Sequence, residues 1–600
     1  MIGNFLVSRN RLQRREPCLS RVAFQIYSNA AIEDFFETSK FMLFYEGNVP
    51  DKRILARRFD LDPNIALKHL LGQAYEKAGT DIFQDLSGDL TLLVINEEEA
   101  IYWGDDFGFR RLFYSKIEDN VCIFNDVDLF YSLTGIPKEI EYQGVIDFFL
   151  LGTLYPPHTC LKGVFTLSPD KYLNLSKNGQ IKISAKAGLL PKSDKYAKDE
   201  NQVSNDISKL VLRSIDSKLS CIPDPHIGAA LSGGIDSAAI LGIAKTLKKI
   251  TAFTIAPTCD ETEELLFSKL TGHYNGVDQI IVHPEKSWIN YMLRLLPAYP
   301  ASPNSDLSQL AYYHLGLELR SRGINYILCG QNADTIFFSM PHHHLFYYYG
   351  ILENLSIRGI ISLLTRVNPF GTKESRLQKA LNFLSRGLVR NVLNIQACCR
   401  VEDLELLIRK DKLAYLATSV IKHEDLNHRS SNSLNNLLIF QQIFGEAQRC
   451  IASKSVPLKL NGCTIVFPFF DKALIDYCYN ISNRIRRKGN FNKIFFRDAI
   501  KSYVHPDIAN RKPHGLAFPI LDYITKRTAL EFLNHRYQQP SLLKEIFIKK
   551  NLLDFLERAG WVQGHKLFLS ILILELWYEI HFRQVGARDT INEALNYRLI

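Results

Sequence analysis

Residues 231–237, Leu-Ser-Gly-Gly-Ile-Asp-Ser, combine the residue types that hold a phosphate group. The adjacent Gly233 and Gly234 let the backbone turn tightly and present bare N–H groups to an anion. A lone carboxylate in such a loop would repel phosphate, so Asp236 indicates a bridging Mg²⁺ that reverses the local electrostatics. The chemistry indicated is metal-assisted binding of a polyphosphate.

The segments around this loop predict the elements that position it. The apolar run ending at Leu231 predicts a buried strand, and residues 238–248 carry apolar side chains at helical spacing. That helix would point the positive end of its dipole at the loop. Further strands, each parted by a helix-length segment, are expected at 250–255, 277–282 and 324–329. This alternation predicts a parallel, doubly wound sheet.

A second carboxylate, Asp334, follows the last of these strands within residues 329–338, Cys-Gly-Gln-Asn-Ala-Asp-Thr-Ile-Phe-Phe. Ligands bind at the carboxyl ends of parallel strands, so this turn should face the same crevice as the glycine loop. We expect Asp236 and Asp334 to hold Mg²⁺ together, because the metal neutralises charge as pyrophosphate leaves. Taken alone, an aspartate after a strand is more often a turn residue or a helix cap.

The first part of the chain predicts a different architecture. Short β-rich runs, interrupted by helical patterns at 64–78 and 142–151, occur at 41–45, 90–95, 100–103, 112–114 and 121–124. They are typical of an α+β domain built on antiparallel sheets. The predicted organisation is a first domain at 1–183, a polar linker at 184–205 and a second domain at 206–600.

Composition limits the remaining classes of function. The 600 residues include 72 basic and 63 acidic side chains, and the resulting net charge of +9 is too mild to indicate nucleic acid. The 11 cysteines show no metal-like spacing, and their odd number favours reduced thiols in a cytoplasmic protein. The longest apolar stretch, 567–574, is too short to span a bilayer, so no membrane partner is predicted.

Several motifs resemble those of the asparagine synthetase superfamily. The loop is similar to the S-G-G-x-D-S string of pyrophosphate-loop ATPases, which cleave ATP between its α and β phosphates. Four other stretches resemble superfamily strings: 330–337 resembles G-x-G-A-D-E-x-F, 467–475 R-x-P-F-L-D-x-x-L, 493–499 K-x-x-L-R-x-A, and 104–114 R-D-x-x-G-x-x-P-L-Y-Y. The resemblance implies an Ntn-hydrolase-like antiparallel sandwich followed by an α/β pyrophosphate-loop synthetase domain with helical additions.

The resemblance also implies how ATP is bound and used. A substrate carboxylate attacks the α-phosphorus to give an acyl-adenylate, and an amine then displaces AMP. The residues implied to cradle the pyrophosphate are Ser232, Gly233, Gly234, Asp236 and Ser237, and those implied to line the adenosine are Leu231, Ile255 and Gly330.

The catalytic residues implied are two lysines and a glutamate. Lys512 stands one place earlier than the superfamily's late lysine, which stabilises charge on the adenylate, and Lys493 is the alternative. Glu446 lies roughly where related enzymes place a carboxylate that assists the amine step. Gln331 replaces the Glu or Tyr that helps to deprotonate the amine, and glutamine has no useful basicity.

Two departures from the superfamily narrow the predicted function. The chain begins Met1-Ile2-Gly3, without the cysteine nucleophile that a glutaminase of this class exposes first, so glutamine hydrolysis is not expected. Gln331 in place of tyrosine disfavours β-lactam formation. Together with the basic and aromatic segment 340–445, these features favour a lasso-peptide cyclase, which closes a macrolactam in a precursor peptide. Such an enzyme would work beside a leader-removing protease and a leader-binding protein.

Two alternatives remain open. One is an asparagine-synthetase-like enzyme that uses ammonia or a small amine to amidate a small carboxylate. The other is an inactive scaffold, which the changes at Gln331, Thr335 and Pro513 would suit. Retention of both aspartates and of the intact glycine loop favours an active enzyme.

Overall fold

The computed structural model describes residues 5–8, 19–21, 24–28, 35–47, 52–86, 88–117, 120–186, 200–256, 262–284, 288–339, 390–391, 393–394, 397–428, 445, 447–481, 493–511, 524–558 and 561–583. Two architectures follow each other along the chain. The first is an antiparallel sandwich and the second is a parallel sheet flanked by helices.

The sandwich contains two six-stranded sheets. The first sheet consists of β1 (Phe5–Ser8), β2 (Leu19–Arg21), β3 (Phe24–Ser28), β8 (Phe113–Ile117), β9 (Asn120–Phe124) and β10 (Val164–Thr166), in the order β10-β8-β9-β1-β3-β2. The second consists of β4 (Phe35–Glu37), β5 (Phe41–Gly47), β6 (Leu90–Asn96), β7 (Glu99–Trp103), β11 (Lys171–Ser176) and β12 (Ile181–Ala185), in the order β12-β11-β7-β6-β5-β4.

Helices cover the outer faces of both sheets. The helices α1 (Lys52–Arg58) and α2 (Leu67–Ala78) pack on the second sheet, and α3 (Val127–Thr134) and α4 (Tyr142–Leu151) pack on the first. Strands between two such layers are buried on both faces. In β6, Leu93 and Ile95 lie between the sheets, whereas Leu92 and Val94 face the helices, as the two-residue period of a strand requires.

The second architecture is a five-stranded parallel sheet. Its strands are β13 (His226–Ala230), β14 (Lys249–Ile255), β15 (Gln279–Val282), β16 (Tyr326–Leu328) and β17 (Thr464–Val466), in the order β15-β14-β13-β16-β17. From β13 the chain adds strands first on one side and then, with β16, on the other. The crevice between β13 and β16 is therefore the topological switch point, where doubly wound sheets bind ligands.

The helices of this second part surround the sheet and extend beyond it. They are α5 (Glu200–Ser220), α6 (Ile235–Ala244), α7 (Glu263–Asn275), α8 (Trp288–Leu295), α9 (Ser308–Ser321), α10 (Ala333–Ile336), α11 (Val401–Leu407), α12 (Leu413–His428), α13 (Ala447–Leu460), α14 (Lys472–Asn480), α15 (Ile494–Ile500), α16 (Pro506–Asn510), α17 (Lys526–Arg536), α18 (Leu542–Ile546), α19 (Lys549–Arg558) and α20 (Trp561–Tyr578). Within the described ranges, no helix is both long and apolar enough to cross a bilayer.

One hydrophobic core joins the sandwich to the C-terminal helices. Phe130 and Phe149 from the first part are buried in the same cluster as Met292 and Trp577 from the second. The indole N–H of Trp577 donates to the backbone carbonyl of Tyr299 at 2.7 Å. This hydrogen bond fixes α20 against the segment between α8 and α9. The two architectures are therefore packed together through apolar side chains.

The expected strands of both parts are confirmed in β5 to β9 and in β13 to β16, and the expected helices in α2, α4 and α6. The fifth parallel strand, β17, was not expected. The polar segment predicted as a linker is bounded by β12, which ends at Ala185, and by α5, which begins at Glu200, inside the predicted linker. Residues 187–199 lie outside the described ranges, and the limits of the domains stay a prediction.

Candidate active site

A cavity of about 600 Å³ opens at the switch point. Its walls include the loop after β13, the turn after β16 and residues from α13, α15 and the end of α16. The predicted residues that line it are Leu231, Ser232, Gly234, Asp236, Ser237, Ile255, Gly330, Asp334 and Lys493. The structure thus brings nearly all of the described candidate residues to one cavity, although they come from distant parts of the chain.

The glycine loop is held by hydrogen bonds from its own serines. Ser232 N–H donates to the Ser237 hydroxyl at 3.0 Å, and Gly234 N–H donates to the Ser232 hydroxyl at 3.1 Å. The Ser237 hydroxyl in turn reaches the carbonyl of Gly234 at 3.1 Å. These bonds shape the loop at the N-terminus of α6, where the helix dipole favours an anion.

Gly330 allows the two motifs to approach closely. A Cβ atom at this position would lie 3.2 Å from Asp236 Cβ and 3.3 Å from Ser237 N, tighter than ordinary contacts. Asn332 then takes a left-handed conformation, with φ of 84°, and its side-chain amide donates to the carbonyl of Phe469 at 3.1 Å. Asparagine tolerates that conformation better than most residues. The turn after β16 is therefore fixed against both the glycine loop and the segment 467–471.

Lys493 lies between the two aspartates of the switch point. Its ammonium is 2.5 Å from Asp236 Oδ2 and 2.7 Å from Asp334 Oδ1, and its side chain is only 4% exposed. The backbone of Lys493 is left-handed, with φ of 62°, an unfavourable conformation for a residue with a Cβ atom. Strain of this kind persists where the surroundings impose it, and here the lysine is held at the start of α15.

The charges around Asp236 depend on one another. Burial raises the pKa of Asp236 to about 6, the nearby Lys493 opposes this rise, and the negative charge of Asp334 adds to it. Burial disfavours the charged form of Lys493, but the two carboxylates outweigh it and raise the pKa of the lysine. The lysine is therefore an ammonium at neutral pH, and Asp236 becomes protonated in mildly acidic solution.

The two carboxylates fit a magnesium ion that also binds phosphate. Asp236 Oδ1 is buried and has no hydrogen-bond partner, so one oxygen of this group is available as a ligand. No group of three or more His, Cys, Asp or Glu side chains within the described ranges is arranged to hold a metal. Mg²⁺ commonly binds through one or two carboxylates, with phosphate and water oxygens as its other ligands. Asp236 and Asp334 match that pattern rather than a closed protein cage.

A second charged group, which the motifs did not reveal, braces the glycine loop. Glu264 of α7 accepts from Gly233 N–H at 2.9 Å, and Arg511 donates to the other oxygen of Glu264 at 2.9 Å and to the carbonyl of Gly233 at 2.6 Å. The Arg511 guanidinium also lies over the ring of Phe267, 4.5 Å from its centroid. Gly233 is thus held by Glu264 and Arg511, and it is the one predicted loop residue that does not line the cavity.

Opposite charges also lie on the wall formed by α9 and α13. Asp306 accepts from the Ser453 hydroxyl at 2.8 Å and from Ser308 N–H at 3.0 Å, and the positive charge of Lys454 helps to lower its pKa despite burial. Lys454 is 8% exposed and forms no ion pair within 4 Å among the described residues. Both side chains line the cavity, so this end can recognise a polar substrate. No sequence motif singled them out, because Asp306 lies in the irregular segment before α9 and Lys454 is an ordinary residue of α13.

The remaining predicted residues lie outside the described ranges. Lys512 follows Arg511, the residue at which the described range 493–511 ends, and Glu446 immediately precedes α13. Most of the segment 340–445, which the sequence suggested as a cradle for a peptide, is likewise outside them. The proposed roles of these residues stay predictions.

The fold and the cavity define a class of protein: an Ntn-type antiparallel domain followed by an α/β nucleotide-cleaving synthetase domain. Residues 207–579, more than half of the chain, match the model of the family Asparagine synthase, and residues 69–185 match that of the Glutamine amidotransferase domain. The chain belongs to the asparagine synthase family. It is accordingly an ATP-dependent carbon–nitrogen ligase, of the type that forms AMP and pyrophosphate.

Similar proteins agree with this assignment. The chain is 23% identical to asparagine synthetase [glutamine-hydrolyzing] 1 of Bacillus subtilis, over 83% of this chain and 78% of that protein. It is 21% identical to asparagine synthetase [glutamine-hydrolyzing] 3 of the same organism, over 92% of this chain and 89% of that protein. A structure of glutamine-dependent NAD+ synthetase from Acinetobacter baumannii with ADP aligns at 13% identity over 49% of this chain and 61% of that chain, but its TM-score of 0.18 is too low to bear on function.

Proposed function

We propose that the cavity at the switch point activates a carboxylate as an acyl-adenylate and then joins it to an amine. The observation that carries this proposal is the Lys493 ammonium between Asp236 and Asp334, at the tips of neighbouring parallel strands and beside an anion-binding loop. Two acids and a buried cation in this position suit a reaction that separates a polyphosphate from a nucleotide.

Each group has a distinct role in the proposed reaction. The N-terminus of α6 and the loop around Ser232 and Gly234 bind the β and γ phosphates, and Leu231, Ile255 and Gly330 line the adenosine. Asp236 and Asp334 would hold Mg²⁺, which would supply positive charge to neutralise the pyrophosphate. Lys493 donates hydrogen bonds to the oxygens that gain charge when the substrate carboxylate attacks the α-phosphorus. We assign the catalytic lysine to position 493 for this reason, while Lys512 remains the untested alternative.

The source of the amine is the second part of the proposal. The cysteines of the sandwich within the described residues are Cys122 and Cys160, and both are buried in the core. Burial raises the pKa of each thiol to about 12, so neither is a thiolate nucleophile at neutral pH. This supports an amine that comes from the substrate or from solution rather than from a glutaminase reaction at either of these residues.

We favour macrolactam closure in a precursor peptide, as in the lasso-peptide cyclases. Gln331 lines the cavity and cannot act as a base. Its presence suits an amine of the same substrate molecule, which is already held close to the adenylate and does not depend on a strongly basic side chain of the protein. A cyclase would need a peptide with a free N-terminal amine and an Asp or Glu side chain. Its working partners would be a leader-removing protease and a leader-binding protein.

Pyrophosphate release is the direct test of adenylate formation. Purified protein is incubated with ATP, Mg²⁺ and single carboxylates or a synthetic core peptide, and the products are analysed by mass spectrometry for the loss of one water. We expect pyrophosphate release with the matching substrate and no release in Asp236→Asn. The control is Asp507→Asn, a change at an exposed acid of α16, which should release pyrophosphate as the unaltered protein does. Equal turnover in Asp236→Asn and the unaltered protein would overturn the assignment.

Amidation of a small carboxylate by ammonia is the second candidate. It is favoured by the opposite charges of Asp306 and Lys454 on one wall, because a free amino acid carries both an ammonium and a carboxylate. The relatives named asparagine synthetases point in the same direction. Ammonia-dependent ATP turnover with aspartate, and none with peptides, would select this candidate over the cyclase.

A further inference from the structure

A second cavity, of about 400 Å³, lies between the sandwich and the synthetase part. One wall comes from the segment 108–113 and the start of α3, and the other from residues 297–302 and helix α13. None of the residues that line it also lines the nucleotide cavity. Helix α13 nevertheless separates the two, since Ala452 and Ser455 face this cavity while Lys454 faces the other. Cavities of this size between domains commonly bind small molecules.

Arg111 lines this cavity and lacks a charge partner. Among the described residues, its guanidinium forms no ion pair, and no hydrogen bond from it is present. The adjacent Arg110, by contrast, has two counter-ions, because it contacts both Asp89 and Glu46. Burial lowers the pKa of Arg111 to about 10, and the Tyr299 hydroxyl is the group that opposes this. Arg111 is partly exposed at the cavity wall, and a partly desolvated guanidinium without a counter-ion is costly to the folded protein.

The acids near Arg111 are already engaged elsewhere. Glu46 lies 3.1 Å from Arg110 Nε, and Asp128 lies 3.2 Å from Lys138 Nζ. Asp126 caps α3 by accepting from the backbone N–H of Leu129 at 2.9 Å. Position 111 is also the place where the motif R-D-x-x-G-x-x-P-L-Y-Y has proline, so the positive charge is a feature of this chain. No described carboxylate is placed to neutralise it.

We propose that this interdomain cavity is a binding site for a small organic acid, whose carboxylate pairs with Arg111. The planar guanidinium presents paired N–H donors that match the two oxygens of a carboxylate. Hydroxyl groups of Thr153 and Tyr299 and apolar side chains of Phe109 and Leu154 also line the cavity. The acids Glu46, Asp126 and Asp128, which are engaged as described above, lie on its walls as well. The occupant is therefore an amino-acid-sized molecule that combines one carboxylate with a short apolar or hydroxylated part. The site is separate from the nucleotide cavity, and the proposal does not depend on the proposed reaction.

Thermal unfolding of the full chain tests this site. The probes are succinate and L-glutamate, with the uncharged succinamide as the ligand control, in a buffer that contains chloride as its only other anion. We expect both acids, but not succinamide, to raise the unfolding temperature of the unaltered protein by several degrees, because a ligand that binds only the folded state stabilises it. Arg111→Gln should abolish this rise, and Arg322→Gln, at an exposed arginine, should retain it.

Without a probe, Arg111→Gln should unfold at the same or a higher temperature than the unaltered protein, because it removes a partly desolvated charge that has no counter-ion. Arg111→Lys keeps the charge without the planar fork and should show a rise that needs roughly tenfold more acid. A lower unfolding temperature for Arg111→Gln without probe would make Arg111 a structural residue and overturn the proposal. An equal rise in Arg111→Gln would place the acids elsewhere, for example in the nucleotide cavity, and no rise in the unaltered protein would exclude recognition of a carboxylate.

Discussion

The ammonium of Lys493 lies 2.5 Å from Asp236 Oδ2, although the two residues are 257 positions apart in the chain. Asp236 is placed by the turn after β13 and Lys493 by the start of α15, so the contact exists only in the folded protein. Asp334, from the turn after β16, completes the group. The glycine loop, the second carboxylate and the lysine thus form one site, with an ammonium between two carboxylates, that none of the three segments provides alone.

Replacement of Lys493 by methionine should abolish amide formation and also destabilise the protein. Without the ammonium, Asp236 and Asp334 repel each other in a partly buried site, and breaking such a pair costs about 3 kcal/mol. The cost should be larger at pH 8 than at pH 5, because Asp236, whose pKa is already raised to about 6, takes up a proton in acid. Urea unfolding at both pH values measures this difference.

The matched control is Lys472→Met, which removes a partly exposed lysine paired with Asp476 on α14. It should cost less than 1 kcal/mol at either pH, as exposed pairs do. A Lys493→Met protein that is as stable as this control at pH 8 would show that the lysine does not offset the repulsion between the two carboxylates.

Binding of ATP with Mg²⁺ should weaken in mildly acidic solution. In the proposed mechanism the ionised form of Asp236 holds Mg²⁺, and its pKa of about 6 lies above the ordinary value of 3.8 because burial disfavours the charge. The affinity contributed by this group is therefore complete above pH 7 and should fall by roughly tenfold for each pH unit below 6. Calorimetric titration between pH 5 and 8 measures the dependence.

Because ATP itself also takes up protons in this range, the comparison is with Asp236→Asn. That variant should bind ATP with Mg²⁺ weakly at every pH and show only the pH dependence that belongs to the nucleotide. The same slope in the variant and in the unaltered protein would contradict the role of Asp236 as a ligand of the metal.

Glu264 and Arg511 should act as a unit in ATP binding. Together they hold the N–H and the carbonyl of Gly233, which sets the shape of the phosphate loop before ATP arrives. We expect Glu264→Gln or Arg511→Lys alone to weaken ATP affinity about tenfold, which corresponds to the loss of one charge-assisted hydrogen bond. The double variant should be little worse than either single one, with a coupling energy of about 1 kcal/mol.

The neighbouring Glu263→Gln provides the control, because Glu263 is exposed and lies 3.5 Å from Arg511 Nε. It should change ATP affinity by less than about twofold. Strictly additive losses in the double variant would mean that Glu264 and Arg511 support the loop independently.

The local parts of this site could be predicted from the sequence, and the reason is physical. Ser232 to Ser237 and Asp334 each belong to a strand–turn unit whose conformation is set by nearby residues, and the alternation of strands and helices places such turns at one edge of a sheet. The same holds for β6, where a continuous apolar run corresponds to a strand buried on both faces.

The contributions from distant residues could not be predicted in this way. The strand β17 has three residues, and its pairing with β16 comes from a chain segment more than a hundred residues away, so no local pattern announces it. Glu264 and Arg511 look like ordinary surface charges in the sequence. Only tertiary packing shows that they meet at Gly233. Asp306 and Lys454 likewise come together on their wall of the cavity only through tertiary packing.

The salt-bridge cluster of Arg536 with Glu575 and Glu579 should govern stability but not nucleotide binding. Arg536 contacts Glu575 Oε2 at 2.6 Å and Glu579 Oε1 at 2.8 Å, and all three side chains are buried where α17 meets α20. Arg536→Met leaves Glu575 without its cation, while Glu579 keeps the Arg583 guanidinium at 3.1 Å. The loss should cost about 3–5 kcal/mol in urea unfolding. Arg527→Gln, on the same helix but 89% exposed, should leave the stability unchanged.

This loss should depend on pH in a definite direction. Burial raises the pKa of Glu575 and Arg536 opposes that rise, so removal of the arginine raises the pKa further and lets the glutamate take up a proton in acid. The destabilisation by Arg536→Met should therefore be greatest at pH 8 and smaller at pH 5, and Glu575→Gln added to it should restore part of the stability at pH 8. ATP affinity of the folded variant should be unchanged, because the cluster lies outside the nucleotide cavity. Equal stability of Arg536→Met and Arg527→Gln at pH 8 would show that the apolar core of α20 holds this region without the buried charges.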